Sequence, residues 1–257
     1  MAKKRSSGKR DESSRFGVRA AFRLIFANVG LFLPLAVVGV LLGAMTFAVG
    51  EEAAVLIWVL MFLMLWLVAL FFVRQITAGK KVIFRDGLYN AMTPLVSVLL
   101  VFVVLAIQCV PVMLIVIGYS AAVETNLFGN MFYASLFVLF ALLMVVLSGF
   151  LLSGTMMALV AVSVPGMYPL RALELTHELM IGERVRFVLR MLVLILVLVL
   201  IWGVLVGLAM LVNLALYNWW GVQMAMLVPI MAIVAGCVSV IYVAVYLYLY
   251  YKELIYE

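Results

Sequence analysis

Few side chains in this chain could carry acid–base or nucleophilic chemistry. The single histidine, His177, precedes Glu178 as in the helix of a zinc protease, but Ile181 occupies the position of the second metal ligand. Ser153 lies in an apolar stretch that contains no base to activate its hydroxyl. We therefore predict no catalytic residues and no enzymatic activity.

Charged side chains are also missing from the middle of the long apolar stretches. Charges inside a membrane usually mark ion or substrate pathways, so transport coupled to protons or sodium through a buried carboxylate is disfavoured. The two cysteines, Cys109 and Cys237, lie in apolar runs and lack the spacing of metal ligands. The sequence predicts neither a metal nor a cofactor.

Uncharged polar residues and prolines are the remaining candidates within the apolar stretches. Pro111 cannot donate to the carbonyl of residue 107 and should bend its helix, and Gln108 could satisfy that carbonyl or bond a neighbouring helix. Packing alone can account for such residues. If a lumen exists, Gln108, Pro111 and Asn213 are the candidates to line it, whereas Pro34 and Pro229 are predicted to kink their own spans.

The elements that must position these residues are apolar helices. The chain is 69% hydrophobic and 11% charged, whereas soluble domains are about 45–50% apolar and about 25% charged. Runs of about 20 apolar residues can cross a bilayer core of about 30 Å. Six spans are predicted near residues 24–49, 53–73, 95–119, 132–164, 187–217 and 222–250.

The predicted fold is an all-α integral membrane protein with six transmembrane helices arranged as three hairpins. A short basic segment precedes each hairpin, and we expect these segments to form interfacial amphipathic helices on the cytoplasmic side. Residues 1–15 are basic and rich in serine, which predicts a disordered cytoplasmic tail. Residues 16–257 are predicted to form one transmembrane domain.

Basic residues predict the orientation. All 17 Lys and Arg residues lie in four segments that alternate with gaps free of basic residues. Cytoplasmic loops carry such an excess, so we expect both termini in the cytoplasm and contact with anionic lipid headgroups. No basic face with interleaved aromatic residues lies outside the spans, so nucleic-acid binding is not predicted.

Three helix faces have periodic patterns. Gly39-xxx-Gly43 and Gly203-xxx-Gly207 offer flat surfaces for close helix contact, by default within the chain. Tyr242 belongs to a third pattern, because tyrosines recur every four residues from there to residue 250. This spacing places them on one face, which we expect to anchor the helix among lipid headgroups.

Residues 165–190 form the most informative cytoplasmic segment. Pro169 can occupy the first turn of a helix, and Gly182 can end that helix. Between them, polar residues fall on one arc and apolar residues on the other, which predicts an amphipathic helix. The candidate contact residues of this segment are Pro165, Gly166, Pro169, Arg171, Glu174, His177, Glu178, Arg184 and Arg186.

The start of that segment also carries a family resemblance. The residues concerned are Pro165-Gly166-Met167-Tyr168-Pro169-Leu170-Arg171-Ala172-Leu173. With their place after the fourth span, they resemble a pattern in uncharacterised bacterial six-span membrane proteins. The layout is similar to the membrane domain of glycerophosphodiester phosphodiesterases and related stand-alone proteins. The resemblance implies a multi-pass protein of the bacterial cytoplasmic membrane, and it implies no phosphodiesterase activity.

Two functions fit these observations. The first is a non-enzymatic scaffold, assembly factor or accessory component that offers its basic cytoplasmic face to a protein partner. The alternative is a transporter or channel for a lipid or another amphipathic small molecule, which would require a cavity that reaches Gln108. The sequence makes no prediction of the oligomeric state.

Overall fold

The computed structural model describes residues 17–164, 166–220 and 226–256. These residues form ten α-helices, joined in places by short 3-10 turns, and no strand occurs among them. The helices are α1 Val18–Ala27, α2 Val29–Met45, α3 Glu51–Thr77, α4 Phe84–Ala91, α5 Leu95–Gln108, α6 Val110–Glu124, α7 Met131–Ala161, α8 Pro169–Leu179, α9 Arg184–Trp220 and α10 Leu227–Tyr256.

Five helical segments of the described chain are long and apolar enough to cross a membrane. They comprise α2 with the 3-10 turn that follows it, α3, α7, α9 and α10, and a sixth span results if the bent pair α4 and α5 counts as one. Their length and composition suit an all-α, membrane-embedded protein. The arrangement as three hairpins stays a prediction, as does the disordered tail, which lies outside the described residues.

The predicted third span, residues 95–119, is not one continuous helix. It is interrupted at Cys109, which separates α5 from α6, and Pro111 lies in the first turn of α6. Pro111 has no N–H to continue the hydrogen-bond ladder, so the break occurs just before it. The prediction of a bend at this proline therefore understated the change, since the helix stops and restarts.

The predicted first span, residues 24–49, is also divided. Helix α1 ends before Asn28, whose Nδ2 donates to the Leu24 carbonyl at 2.9 Å and satisfies an acceptor left at the helix end. Helix α2 then continues through Pro34. Pro229 lies in the first turn of α10, where a missing N–H leaves no intrahelical bond unmade.

Two compact units arise from this helix order. Unit 1 contains the described residues up to 95 together with those from 191 onward, and unit 2 contains the described residues between 96 and 190. In unit 1, α3 packs against α2 and α10, and these three helices contact one another in pairs. The single domain predicted for residues 16–257 stays a prediction.

Small residues permit close packing in unit 1. Gly39 faces Cys237 and Leu65, and Gly43 faces Ile233 and Met61. Those four neighbouring side chains are all buried. The first of the two glycine pairs therefore forms a close intramolecular contact, as its spacing predicts.

The tyrosine face of α10 lies elsewhere than the sequence indicates. Tyr242, Tyr246 and Tyr250 are all buried in unit 1, so they are packed rather than exposed to headgroups. Tyr242 packs against Phe22 in a tilted ring pair with centroids 4.6 Å apart, and its hydroxyl donates to the Val18 carbonyl at 3.2 Å. The prediction of headgroup anchoring is wrong because a helix period identifies a shared face without showing what covers it.

Candidate functional site

Unit 2 contains a cavity of about 370 Å3 that opens at the surface of the unit. Helices α5, α7 and α8 and the first residue of α9 contribute its walls. The lining residues are Val104, Gln108, Phe150, Leu151, Gly154, Thr155, Leu173, Glu174, His177 and Arg184. Predicted residues from the membrane spans and from segment 165–190 therefore meet at one place.

Helix α8 positions two of the charged or titratable side chains. It begins at Pro169, and the turn after it includes Gly182, whose φ of 86° favours glycine. Ala172 and Thr176, both in α8, are fully buried, and the Thr176 hydroxyl donates to the Ala172 carbonyl at 2.8 Å. Because α8 packs on α7 through this small face, Glu174 is left on the cavity side.

Gln108 lies in the cavity wall because the helix ends there. The Val112 N–H donates to the Cys109 carbonyl at 3.0 Å, so it does not serve the Gln108 carbonyl one turn back. That carbonyl instead accepts from the Ser148 hydroxyl of α7 at 3.3 Å. The helix break is thus stabilised by a polar contact from a neighbouring helix.

The side chain of Gln108 is bonded to the same neighbour. Its Oε1 accepts a hydrogen bond from Thr155 Oγ1 at 2.6 Å. This contact fixes the amide oxygen and leaves the amide nitrogen, which carries two N–H donors, beside the cavity. A polar group in the cavity wall is therefore oriented by the protein itself.

Arg184 is held at the cavity by two contacts. Its guanidinium carbon lies 4.0 Å from the centroid of the Phe150 ring, within the range of a cation–π contact. Its Nη2 lies 3.2 Å from Nδ1 and 3.3 Å from Nε2 of His177. These contacts hold the plane of the guanidinium, whose five N–H donors exceed what one imidazole can accept.

Glu174 also lines the cavity and makes no hydrogen bond or ion pair within the described part of the chain. Arg186, by contrast, pairs with Glu183 at 3.4 Å. Arg171 and Glu178 are exposed and do not line the cavity. Two opposite charges, Arg184 and Glu174, therefore face one cavity without neutralising each other.

The remaining predicted residues lie apart from this site. Gly166 is exposed in the loop before α8, with a φ of 82°. Pro34, Asn213 and Pro229 belong to unit 1 and do not line this cavity. Pro165 lies outside the described residues.

Sequence reasoning missed several residues of the wall. Phe150, Leu173 and Val104 look like ordinary span or helix residues, and nothing in their spacing distinguishes them. For Gly154 and Thr155 the sequence favours a packing role, because small residues let helices approach closely. The one sequence feature that could have indicated a cavity is the presence of small residues in a long apolar helix, since such residues leave space for a ligand as well as for another helix.

The cavity lining combines titratable and uncharged polar side chains. The titratable lining groups comprise one carboxylate, one imidazole and one guanidinium, and the polar uncharged groups are an amide and a hydroxyl. Across the resolved helices and loops, no group of three or more His, Cys, Asp or Glu side chains could hold a metal ion.

Unit 1 provides a contrast. It has a cavity of about 280 Å3 lined by Phe22, Phe32, Tyr242 and apolar aliphatic and aromatic neighbours, with no charged side chain. The unit 2 cavity therefore differs in having charged and apolar walls together. Comparison with known proteins finds no family model, no curated protein and no solved structure that matches the chain.

Proposed function

We propose that this chain is a non-enzymatic membrane protein that binds, as a carrier or channel would, a lipid or another amphipathic molecule in the unit 2 cavity. The observation that supports this proposal is the composition of the cavity wall, which contains Arg184 and Glu174 together with apolar side chains such as Val104 and Leu151. The cavity also reaches Gln108, as the sequence-based alternative requires. Ligand pockets are commonly about 300–1,000 Å3, mostly apolar, with a few placed polar groups.

The test is a cavity-blocking variant with a matched control on the same helix. A Cβ built at Gly154 meets no atom within 4 Å, so Gly154→Phe can place a ring in the cavity without a backbone clash. Gly149 is equally open but does not line the cavity, which makes Gly149→Phe the control. The assay is labelling of the reconstituted full chain by a photoreactive phospholipid, with peptide mapping of the labelled site.

Gly154→Phe should lose most labelling of peptides from α5, α7 and α8, whereas Gly149→Phe should retain it. Thermal unfolding of both variants in detergent checks that they remain folded. Equal labelling of wild type and a folded Gly154→Phe variant would refute lipid binding at this cavity.

We further propose that the protein lies in a bacterial cytoplasmic membrane with both termini inside. The alternating distribution of its 17 basic residues supports this orientation, since cytoplasmic loops carry the Lys and Arg excess. Tags inserted at residues 80 and 178 should be accessible only from the cytoplasm. An externally accessible tag at either position would contradict the proposed topology.

A second candidate function, a scaffold that binds a protein partner, is supported by a different surface. Tyr168 just before α8 and Leu170 in its first turn are 78% and 81% exposed, and Ile181 and Val185 after the helix have comparable exposure. If this apolar rim binds a partner, Leu170→Asp should abolish co-purification of that partner, whereas Gly154→Phe should not. Retention of the partner by Leu170→Asp would count against the scaffold.

A further inference from the structure

We infer that the ligand of the unit 2 cavity carries a zwitterionic headgroup, with a phosphate and a primary ammonium, as in an ethanolamine phospholipid. This inference rests on the proposed function and names its ligand class. It starts from Arg184 and Glu174, which line the same cavity. Neither forms an ion pair with the other or with another described residue.

Arg184 suits the phosphate. A guanidinium presents a planar fork of donors that matches phosphate oxygens, and its plane is already held by Phe150 and His177. The nearby Arg186 has its own acidic partner in Glu183, so it is less available. Arg184 is therefore the cation that an anionic group entering the cavity would meet.

Glu174 decides between classes of lipid. A headgroup with negative charge alone would place that charge near the Glu174 carboxylate, and like charges brought together disfavour binding. A purely cationic amphiphile would be disfavoured in the same way, because its positive charge would lie near the Arg184 guanidinium. A headgroup with both charges can satisfy both side chains at once.

The walls also favour a primary over a quaternary ammonium. Quaternary ammonium groups are typically bound by aromatic faces, but the face of Phe150 already holds Arg184. A primary ammonium can instead donate hydrogen bonds to the Glu174 carboxylate. Elsewhere in the wall, the amide nitrogen of Gln108 can donate to the ester carbonyls of the lipid.

The experiment is native mass spectrometry of the full chain in mild detergent. It is titrated with phosphatidylethanolamine, phosphatidylglycerol and phosphatidylcholine of identical acyl chains, and with soluble glycerophosphoethanolamine. We expect a preference of about threefold for the ethanolamine lipid over the glycerol lipid, the scale of a partly exposed charge pair. The soluble headgroup should bind much more weakly, because it cannot use the apolar wall.

Variants assign the preference to residues. Glu174→Gln should bring the ethanolamine-to-glycerol ratio close to one, whereas the matched control Glu178→Gln should leave it unchanged, because Glu178 does not line the cavity. Arg184→Gln should weaken both lipids by about tenfold, the scale of a lost charge-assisted hydrogen bond. Arg184→Lys, which keeps the charge, should lose less, and Arg186→Gln should bind as wild type.

Equal or better binding of the glycerol or choline lipid by wild type would overturn the inference, as would an unchanged ratio in Glu174→Gln. Binding of the soluble headgroup as tight as that of the lipid would overturn the lipid source. Gly154→Phe separates the two proposals. If it lowers binding of all three lipids equally and no headgroup is preferred, the cavity binds lipid without this selectivity. If it lowers none, the proposed function fails.

Discussion

The two glycine pairs of unit 1 give a sharp prediction because the structure treats them differently. An alanine Cβ at Gly43 would lie 2.5 Å from Ile233 Cγ2 and 3.4 Å from Met61 Sδ. At Gly207 in α9, the same Cβ would meet no atom within 4 Å. Ile233 is buried and β-branched, and such a side chain has one strongly preferred rotamer in a helix, so it cannot easily turn away.

The two substitutions share a gain in helix propensity and differ in the cost of overpacking. Each replaces glycine by alanine within a helix, which gains up to about 1 kcal/mol of propensity. Only Gly43→Ala adds an overpacking cost of about 1–3 kcal/mol. Because the propensity cancels in the comparison, Gly43→Ala should be about 1–3 kcal/mol less stable than Gly207→Ala, which should equal or exceed wild type.

The free energy of unfolding is measured by circular dichroism as the full chain is transferred from mild detergent into rising mole fractions of dodecyl sulfate. Gly203→Ala is a second open-site control, because its Cβ also meets no atom within 4 Å. Stabilities of Gly43→Ala and Gly207→Ala that agree within about 0.5 kcal/mol would refute the close contact, since overpacking costs more than that. A large loss in Gly207→Ala would show that another helix covers α9.

Two hydrogen bonds and one backbone conformation give further predictions. A double-mutant cycle of Gln108→Leu and Thr155→Val should give a coupling of about 0.6–2 kcal/mol in the free energy of unfolding, because the two side chains share a 2.6 Å hydrogen bond. Losses that simply add would contradict that bond. The same cycle with Trp202→Phe and Ser239→Ala should give about 0.6 kcal/mol, because Trp202 Nε1 donates to Ser239 Oγ at 3.0 Å. Asn126 has a φ of 52°, in the left-handed region, so Asn126→Gly should be tolerated. Asn126→Val should lower the melting temperature, because a β-branched residue in this conformation is strained by about 1–2 kcal/mol. Equal melting temperatures of the two variants would refute this backbone conformation.

Much of the fold follows from local signals. Hydropathy and span length predict the long apolar helices, because one helix must satisfy every backbone group across the bilayer on its own. Proline and glycine affect the helix only within about one turn, so their effects can be predicted locally. Proline favours the first helical position, and α8 accordingly begins at Pro169. The predicted apolar runs accordingly overlap α3, α7, α9 and α10.

What could not be predicted depends on neighbours. Apolar surface is equally suited to lipid and to another helix, so composition does not show which face is covered. The sequence offered Gly43 and Gly207 in the same pattern, yet only Gly43 meets close neighbours. Tyr242 was assigned to headgroups by its period and is buried beside Phe22. The sequence names Gln108 as a candidate to line a cavity, but the rest of the wall could not be predicted for the same reason, since it comes from residues far apart in the chain.

The interrupted helix links these local and distant effects. Pro111 lacks the N–H that would serve the carbonyl of residue 107, and the helix is interrupted just before it. At this break the Val112 N–H donates to the Cys109 carbonyl, and the Gln108 carbonyl accepts from the Ser148 hydroxyl. Thr155 then fixes the Gln108 amide from the same side of α7. A carbonyl left unsatisfied in an apolar environment would cost several kcal/mol, so the Ser148 contact stabilises the break. Two neighbouring contacts from α7 therefore act on Gln108, since Ser148 satisfies its carbonyl at the helix break and Thr155 fixes its side-chain amide beside the cavity.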